Sequence, residues 1–436
     1  MLDIPLDIQN SQIDLKLVER PEWDQWLPYE PDRCFDELID RLLKCHRPLI
    51  LAGTGVRLAG ARDDLLEMAE EFSLPIATAW THDLIPSDHP LFVGRPGTIG
   101  TRPGNICLQN SDFLLVLGSR LNVRQISYSW SIFAKNAWVA QVDIDRSELA
   151  KPTYVANAVI HADIKDFLKA LSQRLHDYTI PDFSPWVDWC KRIGEVFSIE
   201  REHHQSNKNQ INPYIAVREI FDAAEGGEAF VCGNASACII PFQIGFLRKN
   251  QRMFSNSGAA SMGYELPAAI GAALASEGRR IICFAGDGSL QMNIQELQTL
   301  KSLELNIIII VINNGGYLSI RQTHENFFQT VIGATPASGV EFPDYLKLAR
   351  AYGIQAEAID SPSDLGRLSQ LMRNPGPYLL DIRVDPTQNF EPKLKSRVDE
   401  LGEFQTPELD DMHPFIPRVA LDALRSEAAQ IRALTK

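Results

Sequence analysis

The chain has 436 residues, 45% hydrophobic and 22% charged, with a formal net charge of −14. That length allows two or three domains with full cores, and the composition is that of an ordinary globular protein. The acidic balance, with no basic stripe to offset it, argues against nucleic acid or an anionic membrane as a partner, and no apolar run reaches the length of a membrane span.

Residues 1–30 open on the strand-like run Leu2-Asp3-Ile4-Pro5-Leu6-Asp7-Ile8-Gln9, which leads into a polar stretch holding Pro21 and Pro28. This reads as the last strand and exit linker of a domain whose body lies upstream. Met1 and its neighbours show neither the basic nor the apolar region of a secretory signal. The seven cysteines, at 34, 45, 107, 190, 232, 238 and 283, form no CxxC pair. They read as reduced, mostly buried thiols, so a cytoplasmic protein is expected.

Residues 31–180 alternate strand and helix signals. Arg47–Ala52, Ser73–Ala77, Asp112–Gly118 and Ala137–Asp145 read as strands, and Asp63–Phe72 has helical apolar spacing. Gly53-Thr54-Gly55 is either a tight turn or a nucleotide loop, and is no GxGxxG fingerprint. Residues 181–208, rich in Trp and charge and holding His203-His204, read as a linker with a solvated face. Residues 209–390 make a second α/β domain. The polar tail 391–436, with Pro392, Pro407, Pro414 and Pro417, reads as an extended arm or lid. The expected fold class is therefore α/β, with two doubly wound parallel-sheet domains.

The most informative spacing lies in the second domain. Gly286-Asp287-Gly288-Ser289 ends the apolar run Arg280–Ala285, and Asn313-Asn314 ends the run Ile307–Ile312, with Asn314 27 positions after Asp287. Two such runs with an amphipathic segment between them form a βαβ unit, whose strands bring their carboxyl ends to one edge. Asp287 and Asn314 therefore meet in the crevice. One carboxylate and one amide oxygen beside glycine backbone suit Mg²⁺, which takes its remaining ligands from waters and a phosphate.

Gly286-Asp287-Gly288 with Asn313-Asn314 resembles the thiamine-diphosphate motif. Ser257–Gly271, containing Met262-Gly263-Tyr264-Glu265-Leu266-Pro267-Ala268-Ala269-Ile270-Gly271, resembles the MGxGLPAAIGA block of acetolactate (acetohydroxyacid) synthases. The resemblance to that large-subunit family covers essentially the whole chain. It implies Mg²⁺ on Asp287, Asn314 and the carbonyl of Gly316. It implies thiamine diphosphate against the turn Gly233-Asn234-Ala235-Ser236, with Met262 wedged beneath it and Gly286, Gly288, Ser289, Tyr317 and Leu318 around it. Ser289 is placed either as a helix cap or as a phosphate donor. Relatives often carry Gln-His where this chain has Asn234-Ala235, and synthases using 2-ketobutyrate have Trp where it has Thr323. His324 is a candidate acid or base, and Glu296 a helix-surface or packing residue.

Gly118–Arg124 lies where flavin-binding members have GxRFDDR. Arg120 and Arg124 are retained and the Phe-Asp-Asp is not, which leaves FAD open. The family's acid/base glutamate belongs to an N-terminal pyrimidine-binding domain, so no catalytic residue is assigned within this chain. The resemblance implies decarboxylation of a 2-oxo acid such as pyruvate and its joining to a second carbonyl, giving a 2-acetolactate-type product. A lyase or decarboxylase with another acceptor, and a non-catalytic cofactor-binding subunit, are the alternatives. Partners would be 2-oxo acids and either further copies of the chain or a separate pyrimidine domain.

Overall fold

Two six-stranded, all-parallel sheets organise the molecule. The computed structural model describes residues 32–198, 209–276, 278–398 and 404–434, together with residues 11, 12 and 14. The strand expected near the start, the 199–208 part of the linker and His203-His204 lie outside the described residues.

The first sheet contains β1 (Pro48–Ala52), β2 (Ile76–Thr78), β3 (Phe92–Gly94), β4 (Phe113–Leu117), β5 (Trp138–Asp143) and β6 (Ala158–His161), in the order β3-β2-β1-β4-β5-β6. The second contains β7 (Ala229–Cys232), β8 (Arg252–Ser255), β9 (Ile281–Gly286), β10 (Ile307–Asn313), β11 (Gln355–Ile359) and β12 (Tyr378–Arg383), in the order β11-β12-β10-β9-β7-β8. The first order reverses direction between β1 and β4 and the second between β7 and β9, the second sheet turning back once more at its edge, where β12 lies between β10 and β11. At such a point the connections leave to opposite sides and open a crevice at the carboxyl ends.

The apolar runs become strands because both faces of a parallel sheet are covered by helices. All of Ile307–Ile312 is fully buried, and β10 pairs with β9 from Ile307↔Ile281 to Ile312↔Gly286. This register brings the ends of the two strands level, so Asp287 and Asn314 emerge together. The strand expected at Ser73–Ala77 starts later, at Ile76. Ser73 takes a left-handed conformation (φ 55) and caps the helix Arg62–Phe72, its N–H donating to the Ala69 carbonyl.

Residues expected to be peripheral carry core. The helix Ser184–Val196 buries Trp186 and Trp189, stacked at 5.0 Å, and the Trp186 indole N–H donates to the Pro48 carbonyl at 2.8 Å. In the tail, the helix Arg418–Gln430 buries Leu421 and Ala428, and Leu409 joins the central-domain core. Arg102 donates to the carbonyls of Met412 (3.1 Å) and Pro414 (2.9 Å), fixing the tail to the central domain rather than leaving it as a free arm or lid. Among the described residues no helix is long and apolar enough to cross a membrane.

The two domains meet along a seam of 79–102 against 242–252. Trp80 stacks on Phe242 at 4.0 Å, and the Ser87 N–H donates to the Leu247 carbonyl at 2.7 Å. Arg95 is fully buried, its pKa pushed down to about 10 by burial. Its guanidinium donates to the carbonyls of Phe242 (3.3 Å), Gly245 (3.2 Å) and His82 (3.4 Å) and to Ser87 Oγ (3.3 Å). His82 is held neutral, its pKa lowered to about 3 by burial and by Arg95. An Arg95→Leu variant strands these buried acceptors and is expected to lose about 3 kcal/mol or more of stability in denaturant unfolding. A loss below about 1 kcal/mol would show that the seam does not depend on it.

Candidate functional site

A single cleft of about 940 Å³ runs between the carboxyl edges of the two sheets. Its central-domain wall carries Gly53, Thr54, Gly118, Asp143 and Asp145, and its other wall the turns after β7, β9 and β10. Three non-glycine residues with left-handed backbone lie on this lining: Arg120 (φ 49), Ala235 (φ 46) and Ala260 (φ 52). Strain of this kind persists where the surroundings over-determine it, and it clusters at ligand sites.

The turn after β7 is tied to the neighbouring strand by the Gly233 N–H, which donates to the Phe284 carbonyl at 3.0 Å. It then opens the helix Ser236–Ile244, whose first residue faces the cleft. The positive end of a helix attracts phosphate, although here the Ala237 and Cys238 N–H groups also donate to the carbonyls of Asn234 (3.1 Å) and Ala235 (3.0 Å). The Asn234-Ala235 substitution leaves this backbone device in place.

Asp287 starts the short helix Asp287–Leu290 at the end of β9 and is only 2% exposed. Its Oδ1 accepts from the Gly288 N–H (2.7 Å) and its Oδ2 from the Gly316 N–H (3.0 Å). Burial nonetheless pushes its pKa up from 3.8 to about 6, against those backbone donors. The carboxylate is thus costly to ionise with protein alone around it, and a cation would reverse the balance. Asn314 donates through Nδ2 to Ser236 Oγ at 3.2 Å, while its buried Oδ1 has no hydrogen-bond partner. An orphaned amide oxygen beside an under-compensated carboxylate is the donor set a hard cation takes, and here it fits Mg²⁺. Among the described residues there is no group of three or more His, Cys, Asp or Glu that could hold a metal.

The structure brings nearly all the expected residues together. Gly233, Asn234, Ala235, Ser236, Met262, Gly286, Ser289, Gly316, Tyr317 and Leu318 line the cleft with Asp287 and Asn314, as do Arg120 and Arg124. Gly288 lies behind the wall, under the Tyr317 ring. Ser289 is no helix cap. It is buried, and its Oγ accepts from the Gly263 N–H at 2.8 Å, tying the Met262 turn to the Asp287 turn. The helix expected to follow Asp287 is broken into Asp287–Leu290, a 3₁₀ turn at Gln291–Asn293 and Glu296–Ser302. Glu296 accepts from Thr299 Oγ at 2.8 Å, as a packing residue does. Neither His324 nor Thr323 lines the cleft; His324 Nδ1 accepts from the Ile332 N–H at 3.3 Å.

Two residues of this neighbourhood were not read from the sequence. Tyr345 donates its hydroxyl to the Asp287 carbonyl, bracing the Asp287 turn from 58 positions away in sequence, a distance no local pattern signals. Glu265 stands where the MGxGLPAAIGA block has its second glycine, and that departure was the available signal. Its side chain is fully buried against the Cα of Gly233, where a Cβ would come within 2.9 Å of the carboxyl; neither oxygen has a well-formed hydrogen bond, and the neighbouring Ser289 hydroxyl offsets the burial only in part. Burial pushes its pKa up. The folded state therefore favours the protonated form, and stability falls as pH rises from the ordinary carboxylate range through the raised value. Glu265→Gln removes that ionisation. Its melting temperature is expected to exceed the parent's by a few degrees at pH 8 and to converge on it near pH 5. A difference that does not change with pH would show that Glu265 is not an unpaired acid.

Comparison with known proteins gives the family. Residues 233–382 match the family model described as thiamine pyrophosphate enzyme, C-terminal TPP binding domain, and residues 35–171 match the thiamine pyrophosphate enzyme central domain. The chain is 32% identical to the acetolactate synthase large subunit of Cyanidium caldarium, over 92% of this chain and 70% of that protein. It is 30% identical to the probable acetolactate synthase large subunit of Methanococcus aeolicus, over 88% of this chain and 67% of the relative. With the acetolactate synthase isozyme 1 large subunit of Escherichia coli (strain K12) it shares 29%, over 90% and 68%. The chain thus spans about two thirds of the length of these relatives. With both domain models matched in this order and relatives 30–32% identical covered to two thirds or more, the chain belongs to the thiamine-diphosphate-dependent acetolactate synthase large subunit family.

Proposed function

We propose that the cleft holds thiamine diphosphate through Mg²⁺ and serves decarboxylation of a 2-oxo acid with carboligation, pyruvate going to 2-acetolactate. The observation that carries this is the pairing of a buried, under-compensated Asp287 with the orphaned Oδ1 of Asn314 at the mouth of a phosphate-binding helix. When bound, the cofactor supplies the electron sink for breaking the carbon–carbon bond.

The chain's own residues do the positioning. Asp287, Asn314 and the Gly316 carbonyl hold the metal, and the N–H groups opening Ser236–Ile244 meet the diphosphate. Met262, held by the bond between Gly263 and Ser289, would support the cofactor's rings. The cleft's only carboxylates among the described residues are Asp143, Asp145 and Asp287. The first two stand on the central-domain wall and the third is committed to metal. We therefore assign no catalytic acid/base to the described residues, and place that group on a pyrimidine-binding domain reaching the cleft from another segment, another copy or a separate partner. Arg120 and Arg124, both exposed at the central-domain side, are assigned to the diphosphate of a nucleotide such as FAD. Flavin absorbance of the protein as isolated from its own cells tests that assignment.

The functional test is an assay of the protein with thiamine diphosphate, Mg²⁺ and pyruvate, alone and with a pyrimidine-binding domain added, scored for 2-acetolactate. Formation of 2-acetolactate under either condition supports the reading. A different condensation product from a screen of 2-oxo acids would shift it to a related lyase. Cofactor binding with no turnover in any arm would leave a non-catalytic subunit.

A further inference from the structure

A second hollow, of about 350 Å³, opens at the domain seam and shares no lining residue with the cleft. Five arginines face it. Arg57 and Arg62 come from the central domain, and Arg248, Arg252 and Arg279 from the other. Asp83 is the one carboxylate on its wall. It is nearly buried, and it pairs with Arg57 at 3.0 Å and with Arg252.

The charges do not balance. One carboxylate faces five guanidinium groups in a chain whose net charge is −14, and Asp63, which pairs with Arg62 at 3.0 Å, is almost fully solvent-exposed at 84%. Arg57 registers the excess. Burial lowers its pKa, Asp83 opposes, and the positive charges of Arg252 and Arg62 lower it further. Its buried Nε has no hydrogen-bond partner.

Structural duties account for only part of the donor capacity. Arg62 Nε donates to the Leu84 carbonyl at 2.8 Å, and Arg248 Nη1 to the carbonyls of Phe221 and Ala224 at 3.1 Å. Arg279 Nη2 reaches the Asn250 carbonyl at 3.4 Å. Each guanidinium carries five N–H donors, so most remain for a ligand. All five side chains are half-buried, which strengthens their field relative to surface charges.

We propose that this hollow is a binding site for a small phosphorylated anion, held between the two domains by the five arginines. Its volume lies at the lower end of ligand pockets, which fits a compact polyanion rather than a large cofactor. Guanidinium groups converging from two domains suit the several oxygens of a phosphoryl group, which accept in more than one plane, better than the single plane of a carboxylate. Occupancy would join the domains at a second place besides the Arg95 seam and raise their cohesion.

The test is calorimetric titration of the protein with inorganic pyrophosphate in EDTA, which silences any metal-dependent binding in the cleft. The expected result is one saturable equivalent, a raised melting temperature, and an affinity that falls steeply with salt. The double variant Arg62→Gln/Arg279→Gln, which gives up the bonds of Arg62 to the Leu84 carbonyl and the exposed Asp63 carboxylate and that of Arg279 to the Asn250 carbonyl, is expected to bind at least tenfold more weakly. Asp287→Asn should bind as the parent does. Absence of binding in EDTA overturns the proposal, as does binding that survives the double variant but disappears in Asp287→Asn. Citrate, titrated in parallel, distinguishes the chemistry: citrate bound more tightly than pyrophosphate would overturn the phosphoryl assignment. Circular dichroism of the double variant matching the parent excludes a folding defect, and Arg279→Gln alone, with a several-fold loss expected, is the second reading should the double variant be unstable.

Discussion

Asp287→Asn is expected to abolish Mg²⁺-dependent binding of thiamine diphosphate while leaving the metal-free protein at least as stable as the parent. Outer partners of metal ligands already cost 10–100-fold when removed, so loss of a direct carboxylate ligand should weaken binding by more than about 100-fold. The stability half of the prediction separates a functional residue from a structural one. A rise in pKa from 3.8 to about 6 corresponds to roughly 3 kcal/mol of disfavoured ionisation. Because the folded value is raised, the penalty grows from about pH 4 and is complete above about pH 6. At pH 7.5 the metal-free parent bears it in full, and the neutral amide does not. Calorimetry with and without Mg²⁺ reads the first effect, and thermal unfolding in EDTA reads the second. A variant markedly less stable in EDTA would make Asp287 a structural residue whose hydrogen bonds to Gly288 and Gly316 matter more than its charge.

Gly316→Ala is expected to damage the same site from the backbone. Gly316 adopts φ +156, and a Cβ there would lie 2.1 Å from the Ala334 carbonyl oxygen. That oxygen is itself held in place, accepting from the Tyr317 N–H at 2.8 Å. No side chain can yield, so the loop must move. The movement displaces the Gly316 N–H from Asp287 and its carbonyl from the metal position. A loss of about 2–4 kcal/mol in stability is expected, together with loss of cofactor binding. Gly315→Ala is the internal control. Its φ is +67 but nothing lies within 4 Å of the added carbon, so only the conformational penalty of about 1 kcal/mol applies. Denaturant unfolding of the two variants side by side checks the contrast, and equal losses would refute the steric account.

The metal turn was legible in the sequence for a physical reason. A parallel βαβ unit brings its strand ends together by construction, so two polar residues ending two Ile-rich runs had to meet. Register confirms this, with Ile312 opposite Gly286. The strands that carried no long apolar run were harder to find. β3 (Phe92–Gly94) and β2 are three residues long, and their identity comes from pairing, β2 with β1 and β3 with β2, rather than from their own pattern. The stretch 181–198 looked like a linker because its Trp residues alternate with charge. In the structure the Trp face of that helix is core and the charged face is solvent. The tail misled for a similar reason: Pro414, Pro417 and most charges of its helix are exposed, while Leu409, Met412 and Leu421, and with them Pro392, Asp410 and Asp411, are buried. The arginine hollow was invisible because its five members span 222 positions and converge only when the domains dock.

The most direct measurement is a crystal structure of the protein with thiamine diphosphate and Mn²⁺ in place of Mg²⁺, read by anomalous scattering. The account predicts one strong metal peak within coordination distance of the Asp287 carboxylate, Asn314 Oδ1 and the Gly316 carbonyl, with the diphosphate at the start of Ser236–Ile244. A metal bound elsewhere, or a cofactor seated without these three ligands, would contradict it.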